Sequence, residues 1–112
     1  MSAPEAPAPG LGLYYLAIYI RGAKWSPEVT DFVRETQDRH LAYNDEMYRK
    51  GHYKLVGPFH QPHDSRWRGI ILMKAESMEQ ASAFMDGDPA VQAGRLAYEI
   101  SSLWLGKETV GD

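Results

Sequence analysis

The sequence contains no cysteine, and its longest apolar run, LYYLAIYI at 13–20, is short. The first absence excludes disulfides, thiolate catalysis and zinc sites built from cysteine, and it fits a reducing compartment. The second excludes a membrane-spanning helix, which needs ~20 apolar residues. The N-terminus, MSAPEAPAPGLG, also lacks the positive region and apolar core of a signal peptide. We therefore expect a soluble, cytoplasmic protein with no membrane partner.

A concentration of positive charge is also missing. The 112 residues include 12 Lys and Arg against 15 Asp and Glu, and the net charge is -3. Because the basic residues are scattered along the chain, no electrostatic footprint for nucleic acid is present. The sequence also has no phosphate loop and no dinucleotide fingerprint. These absences predict a protein that uses no cofactor and whose ligand is a small molecule.

The remaining composition is that of an ordinary globular chain, with 44% hydrophobic residues. A chain of this length is expected to form one domain with a small core. Residues 1–12 are rich in Ala and Pro, which predicts a mobile tail. Residues 13–112 are then the folded domain.

Ser, Pro and Gly residues, which favour helix ends and turns, divide that domain into two predicted helices and four predicted strands. The first helix is predicted to start at Ser26 as N-cap, with Pro27 at its first position, and to stop at Gly51. Ser77 is predicted to cap the second helix, and Asp88 to cap a short turn that Pro89 begins. Apolar, β-rich segments predict strands at 13–21, 52–59, 67–75 and 95–105.

The resulting order is strand, helix, strand, strand, helix, strand. This order predicts an α+β fold, a ferredoxin-like βαββαβ sandwich whose four-stranded antiparallel sheet carries two helices on one face. The third and fourth strands, however, are apolar on both faces. Two helices cover only one of those faces, so we expect a second copy of the sheet to bury the other. The prediction is a homodimer that forms an α+β barrel.

His40 lies within TQDRHLAYN, on the inward stripe of the first predicted helix. One interpretation is a neutral core histidine bound to a backbone carbonyl. The other is a general acid/base that faces a cleft and needs a carboxylate to orient it. Asp88 ends the apolar stripe of the second helix and could supply that carboxylate. It could also cap its turn at the same time, since a carboxylate has several lone pairs.

Three segments together carry a family resemblance: HLA at 40–42, GP at 57–58 and ESMEQASAFMDGDPAVQAG at 76–94. Over about residues 13–105 the chain resembles the YciI-like (YCII-related) family of the dimeric α+β barrel superfamily. The resemblance implies a ferredoxin-like dimer with a histidine–aspartate pair in a cleft, here His40 and Asp88. It also implies lyase or isomerase chemistry, because one branch resembles a dehydrochlorinase of a chlorinated hydroxyquinol. Some members place a serine where Ile70 follows Gly69, so this chain lacks that hydroxyl.

Several aromatic residues and an arginine are candidates for binding the substrate: Tyr15, Tyr19, Phe59, Trp67 and Arg68. Aromatic side chains are common in small-molecule sites, and an arginine can steer an anionic group. The alternative interpretation is that the aromatic residues pack in the core or the dimer interface and that the arginine is an exposed strand charge.

The HQPHD segment at 60–64 offers His60, His63 and Asp64 as possible metal ligands. No third imidazole and no thiolate is nearby, and the segment contains a proline, so a solvated loop is the better interpretation. We therefore expect no metal site.

Three functions remain open. The first is a cofactor-free enzyme of lyase or isomerase type, in which His40 and Asp88 act as an acid/base pair on a small aromatic acid or phenol. The second is a non-catalytic small-molecule-binding or accessory dimer, in which His40 is a core residue. The third is a cofactor-independent monooxygenase, because the superfamily contains such enzymes.

Overall fold

In the computed structural model, which describes residues 4–111, four strands form one antiparallel sheet in the order β2-β3-β1-β4. The elements are β1 Leu11–Arg21, α1 Asp31–Arg49, β2 Tyr53–Pro58, β3 Trp67–Met73, α2 Met78–Asp86, α3 Pro89–Gln92, β4 Leu96–Gly106 and α4 Lys107–Val110. The predicted ferredoxin-like order is confirmed, with α3 and α4 as short additions. Residues 1–3 of the predicted tail lie outside the described residues, and β1 begins two residues before the predicted start.

The predicted start of α1 at Ser26 is wrong. The helix begins at Asp31, and the side chain of Thr30 caps it by accepting a hydrogen bond from the Val33 amide at 3.1 Å. The Ser26 hydroxyl instead accepts from the Glu28 amide in a preceding turn. The Ser26 carbonyl is bound by the Arg95 side chain at 2.9 Å, which ties this segment to the residue that precedes β4.

The other predicted helix boundaries are confirmed. Gly51 follows α1 with a φ of 83°, a conformation that glycine adopts without strain. Ser77 caps α2 by accepting from the Gln80 amide at 3.0 Å. Asp88 caps α3 by accepting from the Ala90 amide at 2.9 Å, with Pro89 at the first helical position.

The core lies between the helices and one face of the sheet. Tyr15, Ala17 and Tyr19 of β1 alternate onto this face, where Ala17 pairs with Ile71 of β3. Met47 of α1 and Ala81 and Met85 of α2 pack on these side chains. This packing fixes which side of α1 is buried, and His40 lies on that side.

The opposite face of the sheet is also apolar. Leu16 pairs with Leu72 and Ile18 with Ile70, so these side chains share a face that carries none of the core residues of the helices. Leu16, Ile18 and Ile70 are only partly buried, and Leu55 on the edge strand is 59% exposed. Among residues 4–111, no helix is long and apolar enough to cross a membrane.

Candidate active site

A buried pair links α1 to the junction between α2 and α3. His40 Nδ1 lies 2.7 Å from Asp88 Oδ2, and the Asp88 side chain is 0% exposed. α1 presents His40 because it belongs to the inward stripe, together with Thr36, Asn44 and Met47. Asp88 is placed by its capping role, since the cap uses Oδ1 and leaves Oδ2 for the imidazole. Asp88 therefore caps the turn and contacts His40 at the same time.

The surroundings of Asp88 fix the tautomer of His40. Oδ2 also accepts a hydrogen bond from the Tyr19 hydroxyl at 2.5 Å, so three donors compensate the burial of this carboxylate. Burial, reinforced by the Asp88 charge, raises the pKa of the Tyr19 phenol far above its ordinary value, so Tyr19 remains a donor. Because an ionised carboxylate only accepts, the neutral imidazole carries its proton on Nδ1 and a lone pair on Nε2.

Asn44 is the neighbour of that second ring nitrogen. Its amide nitrogen lies 3.3 Å from His40 Nε2. Its amide oxygen is buried and has no hydrogen-bond partner among residues 4–111. A protonated Nε2 would need an acceptor, and rotation of the Asn44 amide would bring this oxygen to it. The same side chain can therefore contact both protonation states of His40.

His40 forms part of the wall of a cavity of about 210 Å³. A volume near 150 Å³ is enough for one benzene ring, so this space fits a single ring with small substituents. The side chains around it combine aromatic, aliphatic, amide and cationic groups, including Tyr19, Trp25, Asn44, Val56, Arg68 and Arg95. Asp88 does not border the cavity and is linked to its wall by the hydrogen bonds to His40 and Tyr19.

The structure divides the substrate-binding residues predicted from the sequence. Tyr19 and Arg68 border the cavity beside His40. Tyr15 packs in the hydrophobic core with 5% exposure. Phe59 and Trp67 stack on each other at 5.6 Å, and neither borders this cavity. A role in substrate binding stays a prediction for all five.

In the HQPHD loop, the carboxylate that was a possible metal ligand binds an arginine. Asp64 is bound by Arg66 at 2.8 Å, and these hydrogen bonds lower the pKa of Asp64 to about 2. Within residues 4–111, no three His, Asp or Glu side chains converge as metal ligands. The expectation that this loop binds no metal stays a prediction.

Sequence reasoning missed several residues of the cavity, among them Trp25, Asn44 and Arg95. Asn44 could have been found, because it follows His40 by four residues and therefore shares its helix face. Trp25 and Arg95 have no such periodic signal, since a loop and the start of a strand place them.

The fold and the site together define a ferredoxin-like α+β domain with a buried histidine–aspartate pair beside a small cavity. The YCII-related domain matches residues 14–103, and the chain belongs to that family. A similar solved structure is 5-chloro-2-hydroxyhydroquinone dehydrochlorinase (TftG) from Burkholderia phenoliruptrix AC1100, in complex with 2,5-dihydroxybenzoquinone. It is 22% identical, with a TM-score of 0.59 over 84% of this chain and 97% of that chain, which shows a shared fold. No curated protein sequence matches the chain significantly.

Proposed function

We propose that this protein is an enzyme of lyase or isomerase type that acts on a small, single-ring organic substrate without a resident cofactor. The observation that carries the proposal is the His40–Asp88 contact of 2.7 Å in the wall of a ring-sized cavity. An imidazole oriented by a buried carboxylate is a recurrent general base. The similar fold of a dehydrochlorinase supports the same class of chemistry.

In the proposed step, His40 Nε2 removes a proton from an O–H or C–H bond of the substrate. The electron pair of that bond forms a new π bond in the ring system. In an elimination, this movement expels a leaving group such as chloride, and the imidazolium later releases its proton to water. In an isomerisation, the imidazolium returns the proton to another carbon. Asp88 keeps Nδ1 protonated and stabilises the imidazolium by its charge.

Substitution of the pair tests this proposal. In a screen of phenols, chlorinated phenols and aromatic acids, we expect His40→Gln to lower kcat by about 10²–10⁴ for any accepted substrate. Asp88→Asn should lower it substantially, and the double variant should be no slower than His40→Gln, since the two residues act as one unit. Asn retains the helix cap, so the fold should survive.

His52→Gln is the matched control, because His52 stacks on Phe84 at 4.4 Å, away from the cavity. Circular dichroism checks that each variant is folded. Turnover that survives His40→Gln, or effects of the single substitutions that simply add, would reject the acid/base pair.

We also propose that two copies pair through the open sheet face around Ile18, because its partly exposed aliphatic side chains would otherwise face water. Light scattering should give twice the chain mass of 12.7 kDa at micromolar concentration. Ile18→Glu should convert this species to a monomer, whereas Val29→Glu, at a position 66% exposed and outside the sheet, should not. A wild-type monomer would reject the pairing.

A further inference from the structure

Three arginines surround one tryptophan, Trp25, beside the cavity described above. The guanidinium carbons of Arg21, Arg68 and Arg95 lie 4.2, 5.7 and 5.8 Å from the centroid of the Trp25 ring. They come from the end of β1, from β3 and from the residue that precedes β4. An aromatic face attracts each cation, but three like charges at one ring also repel one another.

Backbone contacts build this cluster. The Arg21 amide donates to the Arg66 carbonyl at 3.0 Å, which ties the end of β1 to the segment before β3. The Gly22 amide donates to the Arg95 carbonyl at 2.9 Å, and a Cβ at position 22 would lie 2.2 Å from the Gly94 oxygen. Only glycine permits this approach. The convergence is therefore a fixed feature of the fold.

The charge of the cluster is not neutralised within the described chain. Among residues 4–111, none of the three arginines forms an ion pair with a carboxylate. Arg68 Nη2 donates to the Ser65 carbonyl and Arg95 Nη1 to the Ser26 carbonyl. Arg68 Nε is buried and has no acceptor among the described residues. A buried charged donor without a partner is costly, so an anion bound here would be stabilised.

The cluster and the acid/base candidate share one space. Arg68, Arg95 and Trp25 border the same cavity as His40. We propose that Arg68 and Arg95 form an anion subsite that binds the carboxylate of a single-ring aromatic acid, with Arg21 adding long-range attraction. Two guanidinium groups match the planar, two-oxygen geometry of a carboxylate. The inference rests on the proposed function in one respect: binding at this subsite would hold the ring near His40.

The experiment compares three probes by calorimetric or NMR titration of the full chain: benzoate, benzamide as the neutral isostere, and inorganic phosphate as a free anion without a ring. We expect benzoate to bind at least about tenfold more tightly than either of the others, as loss of a charged hydrogen bond predicts. This comparison needs no variant, so it holds whether or not a substitution disturbs folding.

Variants then assign the subsite. Arg68→Met and Arg95→Met should each weaken benzoate binding by about tenfold or more, and Arg68→Lys should restore only part of it. Arg66→Met is the matched control, because it removes the same charge two residues away from Arg68. Arg66 is paired with Asp64 and does not border the cavity. We expect it to leave benzoate affinity unchanged.

Each of these results would overturn the subsite: benzamide binding as tightly as benzoate, phosphate binding as tightly as benzoate, Arg66→Met weakening benzoate binding as much as Arg68→Met, or no effect of Arg68→Met and Arg95→Met on benzoate binding. These measurements need no turnover. If turnover depends on His40 but benzoate binding ignores Arg68 and Arg95, only the subsite fails. If benzoate binding depends on both arginines but no substrate is turned over, the subsite stands and the proposed enzyme fails.

Discussion

Basic side chains on the exposed face of α1 form ion pairs with carboxylates, whereas the arginines at the cavity bind backbone carbonyls. On the helix, basic residues reach carboxylates within one turn at 2.6–3.3 Å: Arg34 with Asp31, Arg39 with Glu35, Arg49 with Asp45 and Lys50 with Glu46. At the cavity, Arg68 and Arg95 have carbonyl partners and no ion pair among residues 4–111. The chain has 15 acidic residues for 12 basic ones, so a shortage of carboxylates does not explain the difference.

The difference distinguishes exposed, paired charges, which contribute little to stability, from cavity cations without an ion pair, which can attract a ligand. An exposed pair one helical turn apart contributes only about 0.3–0.5 kcal/mol, because water solvates both partners well. A cation in a cavity has lost part of its water and keeps its attraction for an incoming anion. His40 and Asp88 extend the same contrast, since this pair is buried and Asp88 also accepts from the Tyr19 hydroxyl and the Ala90 amide.

Removal of one carboxylate from each region gives the largest expected effect. Asp88→Ala leaves the Tyr19 hydroxyl, His40 Nδ1–H and the Ala90 amide without their acceptor. We expect it to lower the free energy of unfolding by about 3 kcal/mol or more. Glu35→Ala, which breaks a helix pair whose Glu35 side chain is 64% exposed, should cost about 0.5 kcal/mol or less.

Urea unfolding with an unchanged m-value measures both effects. Asp88→Asn is the intermediate control, because its amide oxygen can keep the cap while its amide nitrogen replaces the oxygen that accepts from Tyr19 and His40. Losses of similar size for Asp88→Ala and Glu35→Ala would show that burial adds nothing to the hydrogen bonds of Asp88.

The sequence predicted the inner pair better than the arginine cluster, for a physical reason. His40 and Asp88 each lie at a position set by local rules, the period of a helix and the capping of a turn. Those rules act over a few residues and can be read from one segment. The arginine cluster instead depends on contacts such as Gly22 with Arg95, which only the assembled sheet creates. The sequence therefore identifies Arg68 as a single strand charge but does not predict that Arg21, Trp25 and Arg95 lie beside it.

Competition between local signals explains the misplaced start of α1. Ser26 followed by Pro27 satisfies the sequence rule for a cap as well as Thr30 followed by Asp31 does. The choice falls to Thr30 because the Arg95 side chain binds the Ser26 carbonyl, a contact that joins residues far apart in the chain. A tertiary contact thus decided between two equally good local alternatives.

Two tyrosine–aspartate hydrogen bonds repeat the comparison of buried and exposed groups with matched chemistry. The Tyr19 hydroxyl donates to Asp88 at 2.5 Å within the core, and the Tyr98 hydroxyl donates to Asp86 at the same distance near the surface. Burial, then the bond to Asp86, raises the pKa of Tyr98 to about 12. For Tyr19, burial and the Asp88 charge raise the pKa much further.

An effect smaller than that of Asp88→Ala should separate these two tyrosines, through the pH dependence of stability. Above a pH of about 10, tyrosines of the unfolded chain lose their protons, while a tyrosine with a raised folded pKa keeps its own. The unfolded state then binds fewer protons, so stability that is fully present below pH 10 falls as the pH rises. For a tyrosine as buried as Tyr19, the slope is about 1.4 kcal/mol per pH unit. For Tyr98 the loss ends near its folded pKa of about 12 and is screened by solvent.

In urea unfolding at a series of pH values from about 9 upward, Tyr19→Phe should therefore flatten the alkaline decline more than Tyr98→Phe. Equal flattening by the two substitutions would mean that the Asp88 site gains nothing from its burial, which is the property that distinguishes it from the charged surface of α1.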